Sequence, residues 1–461
     1  MLNYKNRDIS FIVYAIFIMT AFFSARLILM FTNLFKTESM LLIILAVLII
    51  ITVFVFLIKY PEAGIVFYVS CLGFLDPPLE AINVPEGMRA LPFAIILLFA
   101  LIIYIGKERK AISFEKVYIL PVSILILLIA GLLWSPSPIY GFHKVQAYIL
   151  YNLFIFLGVT LFRGDKERLN NMVFVSVLLG IIVLISSLIS FFIQEPLGVA
   201  KRFRFMGFSS LSLARSAGLF TISYLLIARL TDSFRMKALL YGMIPLFLFL
   251  IYTTGSRMPA ISIFIVFLVY LTLIEKRPLL QKIVFMIVFA VISYGVFLYT
   301  PEDPRQRYIA LYQGEDIELD YRYSGSRRNV YDIGVQAFLS YPLIGLGTGG
   351  FSNYSAVSDN KIYPHNLILE VASEFGVIGL SVIVVFLFFN FVIALKSIFK
   401  YREFKKKPLA LFFGILTFLL AFLNSMTTGD ITDNPMIWFG SALMWTAWKT
   451  EELTGEANSE R

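Results

Sequence analysis

Apolar runs long enough to cross a bilayer recur along almost the whole chain, and this one feature restricts it to a helical membrane fold. A helix needs about 20 apolar residues to span the hydrocarbon, where every backbone N–H and C=O must be bonded within the protein itself. Runs of spanning character fall at roughly 9–31, 39–58, 62–76, 90–105, 117–134, 144–162, 172–193, 207–228, 237–255, 258–274, 283–300, 366–395, 408–425 and 435–448. The reading is an all-α integral membrane protein with about 12–14 transmembrane helices, the lower count applying if the short runs 62–76 and 435–448 are re-entrant or interfacial. With 59% hydrophobic and 15% charged residues, the chain needs lipid as its solvent. The first run is too long for a signal-peptide core and is followed by no small-residue cleavage site, so it reads as an uncleaved span.

Basic residues order these spans. Cytoplasmic loops retain Lys and Arg, and the alternation places Lys107, Arg109, Lys110 and Lys116 inside, then Arg163, Lys166 and Arg168, then Arg229, Arg235 and Lys237. Lys276, Arg277 and Lys282 continue the series, and Lys400, Arg402, Lys405, Lys406 and Lys407 close it. Both termini are expected inside. The net charge of +9 is mostly this topological bias, and no nucleic-acid partner is read from it. The single cysteine, Cys71, lies in an apolar stretch and excludes both a disulfide framework and a thiolate metal site.

No soluble domain or fixed-period repeat interrupts the spans, so residues 1–461 read as one polytopic membrane domain. The one long connection is 300–364, roughly 65 residues, expected on the extracytoplasmic side and functional by its length. Within it Arg327 to Leu339 places Val330, Ile333, Ala337 and Phe338 on one side at helical spacing, which predicts a short amphipathic helix at the membrane surface. Tyr341-Pro342 ends that helix, and Gly345, Gly347, Gly349 and Gly350 turn the backbone tightly. The chain re-enters the membrane at Pro364-His365-Asn366, a helix start.

Several cations stay on the outer side against the positive-inside bias: Arg89, Lys201, Arg202, Arg204, Arg257, Arg305, Arg307, Arg322, Arg327, Arg328 and Lys361. An Arg fork suits phosphate oxygens, so such a group can form an anion site at headgroup level. Singly, each is better read as snorkelling or pairing with a loop carboxylate. Arg257 stands out because Thr253-Thr254-Gly255-Ser256-Arg257 is a very short outer turn, where backbone amides and the Ser256 hydroxyl can add phosphate contacts. Arg215 falls inside the run 207–228, where an unpaired charge is costly, and reads either as functional, a substrate-binding candidate, or as a buried ion-pair partner. His365 is one of two histidines, with His143, and can take a proton from a sugar hydroxyl or serve as a polar helix start. Glu370 and Glu374 enter the next apolar run and are functional candidates or partners of Arg215. Gly345 to Gly350 matches G-x-G-x-x-G formally, but no βαβ unit surrounds it. Asp430 and Asp433 read as a solvated turn, and no metal is assigned.

The run from Tyr341 through Gly345-Leu346-Gly347-Thr348-Gly349-Gly350-Phe351, then Pro364-His365-Asn366 and Glu370 to Glu374-Phe375-Gly376-Val377-Ile378-Gly379, resembles the bacterial O-antigen ligase and O-antigen polymerase superfamily. Gly255-Ser256-Arg257 is similar to the family's Ser-Arg turn, and Arg327 precedes the aromatic Tyr331 as in family members. Arg204 with Gly207 is similar to a further family Arg, without the Asn residues that follow it there. The motifs span about 200–395. The resemblance implies a lipid-dependent (GT-C-like) glycosyltransferase architecture at the outer face of a bacterial cytoplasmic membrane, without nucleotide sugar, cofactor or metal. It implies an undecaprenyl-diphosphate-linked glycan as donor and a glycan acceptor, with a chain-length regulator as a further partner. By motif, Arg257 and Arg204 would grip the diphosphate, Arg327 and Arg328 would orient donor or acceptor, and His365 would activate the acceptor hydroxyl.

The expected function is therefore transfer of a lipid-linked glycan onto a sugar hydroxyl in surface polysaccharide assembly, with polymerase placed ahead of ligase. A flippase for the same lipid shares the many spans. It is ranked below transfer because transporters show related halves and a midplane site, whereas the informative residues here gather in one loop.

Overall fold

The computed structural model describes residues 52–71, 91–108, 116–193, 203, 209–313, 327–355, 359, 361–401, 408–427 and 430–459. Every regular element among them is a helix. In chain order they are α1 (Thr52–Lys59), α2 (Pro61–Ser70), α3 (Leu91–Glu108), α4 (Lys116–Gly131), α5 (Pro138–Thr160), α6 (Lys166–Ile193), α7 (Ser210–Leu230) and α8 (Phe234–Thr253). There follow α9 (Arg257–Ile274), α10 (Leu279–Leu298), α11 (Glu302–Gln313), α12 (Arg327–Ser340), α13 (Gly350–Tyr354), α14 (Leu367–Lys400), α15 (Leu409–Ser425) and α16 (Pro435–Ser459).

Eight of these, α3, α5, α6, α7, α8, α9, α10 and α14, are long and apolar enough to cross a membrane. The pair α1 and α2, bent by 113°, makes a ninth if it is one broken span, and α4 and α15 are shorter apolar helices. The chain is thus an all-α integral membrane protein, and the described part of the short run 62–76 belongs to α2, the second arm of a sharp bend. The expected span at 9–31 lies outside the described residues. Starts are set by local chemistry: Ser209 and Asn366 accept from Ser212 N and Leu369 N, each at 3.0 Å, and Pro61 and Pro138 occupy first-turn positions that need no N–H.

The helices have two distinct ends. At one, Gly164 N donates to Thr450 Oγ1 at 2.9 Å, Ala410 N to Asn170 Oδ1 at 3.2 Å, and Lys166 pairs with Glu451 at 2.6 Å. At the other, Arg215 donates to the Asp433 carbonyl at 2.8 Å and Asn366 to the Met426 carbonyl at 3.0 Å. Arg229, at the far end of α7 from Arg215, pairs with Glu275 at 3.3 Å, which fixes the end of α9 there and so places its beginning, Arg257, at the same end of the bundle as His365. Backbones approach closely where glycine permits: a Cβ on Gly414 would stand 2.5 Å from Met444 N, and one on Gly440 2.5 Å from Phe418 N, so α15 and α16 lie against each other along their length.

The feature that organises the rest is a break in α14 at Gly376, with φ 60° and ψ −153°. A break inside a span strands carbonyls on one side and amides on the other, at a cost of several kcal/mol for each group left bare in lipid. The chain entering from α12 satisfies both. Leu346 N donates to Ser373 O at 3.0 Å and Gly347 N to Glu374 O at 2.8 Å, while Val377 N donates to Pro342 O at 2.8 Å and Ile378 N to Leu343 O at 3.4 Å. The long connection is therefore partly interior. The amphipathic helix predicted over Arg327 to Leu339 forms as α12, ends before Pro342 as its sequence requires, and buries Val330 and Ala337.

Gly376 occupies a backbone region open in practice only to glycine, and a Cβ there would collide with the backbone of Pro342 and Leu343. Gly376→Ala is expected to cost at least about 2 kcal/mol from strain and the displaced segment, seen as a lowered midpoint in thermal unfolding of the detergent-solubilised protein. The neighbouring exposed change Ser381→Ala is the control and should leave the midpoint in place.

Candidate active site

His365 is the one described residue other than glycine with a positive φ, 58°. Left-handed backbone costs an L-residue roughly 1–2 kcal/mol, although His tolerates it better than most. The surroundings hold it there. Pro364 and Ile362 are buried, Ile362 packing with Val330 of α12 and Phe351 of α13, and Asn366 is bound on both sides, to Leu369 N and to Met426 O. The imidazole lies partly exposed against the Tyr363 ring, with centroids 4.5 Å apart. Three elements thus converge on the six residues from Lys361 to Asn366 and present one imidazole in a fixed pose.

The turn that precedes α16 supplies the facing charges. Lys361 Nζ lies 2.8 Å from Asp433 Oδ1 and 2.7 Å from Oδ2. Asp430 is almost wholly buried and accepts from Tyr140 Oη at 2.7 Å, Thr432 Oγ1 at 2.6 Å and the amides of Thr432 and Asp433 at 2.7 and 2.9 Å. Burial alone would raise its pKa, but Lys144, Lys361 and these donors outweigh burial and bring it down to about 2. Asp433 moves the other way, raised by burial and by the adjacent Asp430 charge. The solvated turn expected from Asp430 and Asp433 is thus corrected at Asp430, which is buried because Tyr140 reaches it from α5, while Asp433 stays partly exposed in its pair with Lys361.

Below it sits a charge cluster sealed from water. Lys144 of α5 bonds Glu370 and lies 2.8 Å from Glu374 Oε2, all three side chains being at most 1% exposed. Glu370 also accepts from Ile431 N at 2.9 Å, tying the cluster to the acidic turn. One face of α5 makes these contacts: Tyr140, Lys144, Tyr148 and Asn152 recur every four residues, Tyr148 Oη donating to Pro121 O at 2.9 Å and Asn152 Nδ2 to Ile431 O at 3.1 Å. An α-helix drifts about 40° over each such step, and the wider π turn over Tyr148–Leu153 offsets the drift. The expected pairing of Glu370 and Glu374 with Arg215 is not what forms. Lys144 takes both carboxylates, and Arg215 is buried one turn into α7 with its Nη1 on the Asp433 carbonyl.

The glycine run is a packing device. Gly345, Gly347 and Gly349 take positive φ, and Thr348 is clasped by α4, its N donating to Gly131 O at 3.2 Å and its Oγ1 to Leu128 O at 2.6 Å. Ser135 Oγ donates to Thr348 O at 2.7 Å. Asp359 meets the first turn of α5, accepting from Ile139 N and Tyr140 N at 2.9 and 2.8 Å, as a carboxylate does at a helix N-terminus.

Arg257 begins α9, after a turn in which Thr254 Oγ1 accepts from Ser256 N at 3.1 Å and Tyr308 of α11 donates to Ser256 O at 3.2 Å. Ser256 stands at the N-cap without a side-chain cap bond. Arg307 packs against Gly255, so a second guanidinium-bearing residue adjoins this turn. Arg327 and Arg328 open α12, whose Val330 contacts the Ile362 that leads to His365. Arg204 lies outside the described residues. His143 is exposed on α5. Lys144, Tyr140 and Asn152 were missed by the sequence reading. The available signal was a lysine at the very start of the run 144–162 with polar or aromatic partners four residues apart, since intramembrane charges are functional or paired by default.

The fold and this polar end define a multi-pass helical membrane protein with a buried charge cluster beneath a strained histidine. Residues 242–384 match the family model described as O-antigen ligase, so the resemblance carried by Ser256-Arg257, the glycine run and Pro364-His365-Asn366 is shown across the segment that holds them. The match supports an O-antigen ligase- or polymerase-like activity in general, that of a glycosyltransferase-type enzyme. No curated protein gives a significant match to the chain.

Two measurements test the cluster. Lys144→Met leaves two buried carboxylates without their ammonium and is expected to cost about 3–5 kcal/mol, whereas Lys144→Met combined with Glu370→Gln and Glu374→Gln should recover part of that loss in thermal unfolding. Asp430, with its folded pKa depressed, contributes stability that is complete above its ordinary 3.8 and lost as the pH falls toward about 2. Unfolding midpoints followed downward through that window should fall in the native protein and change less in Asp430→Asn.

Proposed function

We propose that this chain transfers a glycan from an undecaprenyl-diphosphate carrier to a sugar hydroxyl during assembly of a surface polysaccharide, acting at the extracytoplasmic face of a bacterial cytoplasmic membrane. The observation that carries the reading is the fixed, strained pose of His365 at the same end of the bundle as Arg257, both within the segment that matches the O-antigen ligase family. Strain of this kind persists only where the surroundings over-determine it, and such residues cluster at functional sites.

The chemistry follows from the groups present. His365 accepts the proton of the acceptor hydroxyl as its oxygen attacks the anomeric carbon; the bond from that carbon to the diphosphate oxygen breaks, and the carrier diphosphate leaves with the electron pair and one more negative charge. Arg257, with the amides of the first turn of α9 and the uncommitted cap position at Ser256, is suited to that developing charge. Arg204 is proposed as a second diphosphate ligand, and Arg327 and Arg328 as groups that orient donor or acceptor. Direct displacement inverts the anomeric centre. Arg215 acts behind the site, holding the turn that carries Asp433 and thereby Lys361.

Polymerisation is the preferred reaction, with a chain-length regulator as partner. Ligation to a lipid core or protein acceptor is the second reading, favoured by the description of the matched family. The two separate in a reconstituted assay: long polymer formed without any core acceptor excludes the ligase, and transfer of preformed chains to one defined acceptor excludes the polymerase.

His365→Asn tests the role of the imidazole without relieving the backbone, since Asn also accepts left-handed geometry. It is expected to leave the unfolding midpoint near native, abolish glycan transfer and let lipid-linked units accumulate. Native levels of product would remove His365 from the mechanism.

A further inference from the structure

Leu339, Tyr341, Leu343 and Ile344 expose 68%, 50%, 70% and 49% of their surfaces, four large apolar side chains within six residues of a connection that a linear reading assigns to water. Leaving such a patch hydrated is unfavourable by about 25 cal/mol for each Å², and contiguous apolar patches mark interaction surfaces. What covers this one is fixed by its neighbours.

Val377 and Ile378, 46% and 50% exposed, follow the break in α14 and continue into the outward side chains Val384, Val385 and Phe388 of the same span. The backbone bonds from Val377 to Pro342 and from Ile378 to Leu343 set Leu343 and Ile344 at the depth of those two residues. That depth can be bounded. Asn366 is bonded to Met426, so the start of α14 is level with the end of α15, a helix of 17 residues that is about 26 Å long at a 1.5 Å rise. The length is close to the roughly 30 Å of bilayer hydrocarbon. Val377, well past the start of α14, lies within that thickness, and the Pro342–Leu343 segment lies there with it.

We infer that residues 339–344 form a lipid-facing ledge seated in the bilayer, with membrane acyl chains as its partner, continuous with the lipid-facing side of α14. The non-helical backbone is tolerated at this depth because the Pro342 and Leu343 carbonyls accept from the broken helix and the Tyr341 carbonyl from Gly345 N. The ledge begins in the last turn of α12, so it ties that helix to the membrane. The inference rests on α14 being a span and on the shorter α15 crossing the hydrocarbon beside it, and is independent of the chemistry proposed for His365.

Site-directed spin labelling decides it. With the buried Cys71 changed to Ala, a nitroxide is attached in turn at Leu343→Cys and Ile344→Cys in the full chain reconstituted into phosphatidylcholine vesicles, with Val384→Cys as the bilayer reference and Glu302→Cys as the aqueous one. Collisional relaxation by oxygen and by a water-soluble nickel chelate is then compared. The ledge predicts oxygen accessibility near that at 384 and nickel accessibility several-fold below that at 302. Nickel accessibility equal to that at 302 would place the segment in water. Low accessibility to both reagents would place it against protein, and either result overturns the inference. Having two label positions guards against a single variant that fails to fold.

Discussion

The structure depends on one exchange of backbone hydrogen bonds. When α14 breaks at Gly376, its stranded carbonyls and amides are taken up by Leu346, Gly347, Pro342 and Leu343, and this exchange locks the long connection to the middle of a span. The rest follows from where that lock sits. Upstream of the break, Glu370 and Glu374 are turned toward Lys144, and His365 is held at the mouth of the same helix. Downstream, α14 continues as an ordinary lipid-facing helix. A continuous helix of the same length would have no backbone groups to offer, and the amides of Leu346 and Gly347 would lose their acceptors.

The buried charges follow a consistent logic. Ions removed from water need compensating partners. Here Lys144 serves two carboxylates, Ile431 N serves Glu370, and Asp430 is surrounded by four donors drawn from α5 and its own turn. These contacts link α5, α14 and the turn before α16, elements far apart in sequence, immediately behind His365. Position there is fixed by ionic and hydrogen-bonded contacts, whereas the body of the bundle is held by apolar packing, as in the 4.0 Å stacking of Phe267 on Phe289.

Much of this was legible in the chain. Apolar length alone gave the helical membrane class and nearly every described span, since the hydrocarbon leaves a chain little choice. The amphipathic pattern of 327–339 gave α12, and Pro342 gave its end. The family motifs marked His365 and Arg257 before any geometry. What sequence could not supply was partnership at long range. Lys144 and Glu370 are 226 residues apart, and nothing local distinguishes the pairing that forms from one with Arg215. The acidic turn read as solvated because Tyr140, which buries and bonds it, comes from the other half of the chain. The break in α14 was equally hidden: Glu374-Phe375-Gly376 reads as an uninterrupted helix, and only the segment that inserts there makes the interruption stable.

The close pairing of α15 and α16 has an effect at a distance. Gly414 abuts the backbone of Met444, and Gly440 that of Phe418, so the two helices are keyed to each other at two points and can neither slide nor roll independently. The turn joining them, which carries Asp430 and Asp433, inherits that register. A methyl group added at 414 or 440 would lever the hairpin apart and shift both carboxylates relative to Lys361 and Tyr140, making these remote glycines a determinant of how the histidine is presented.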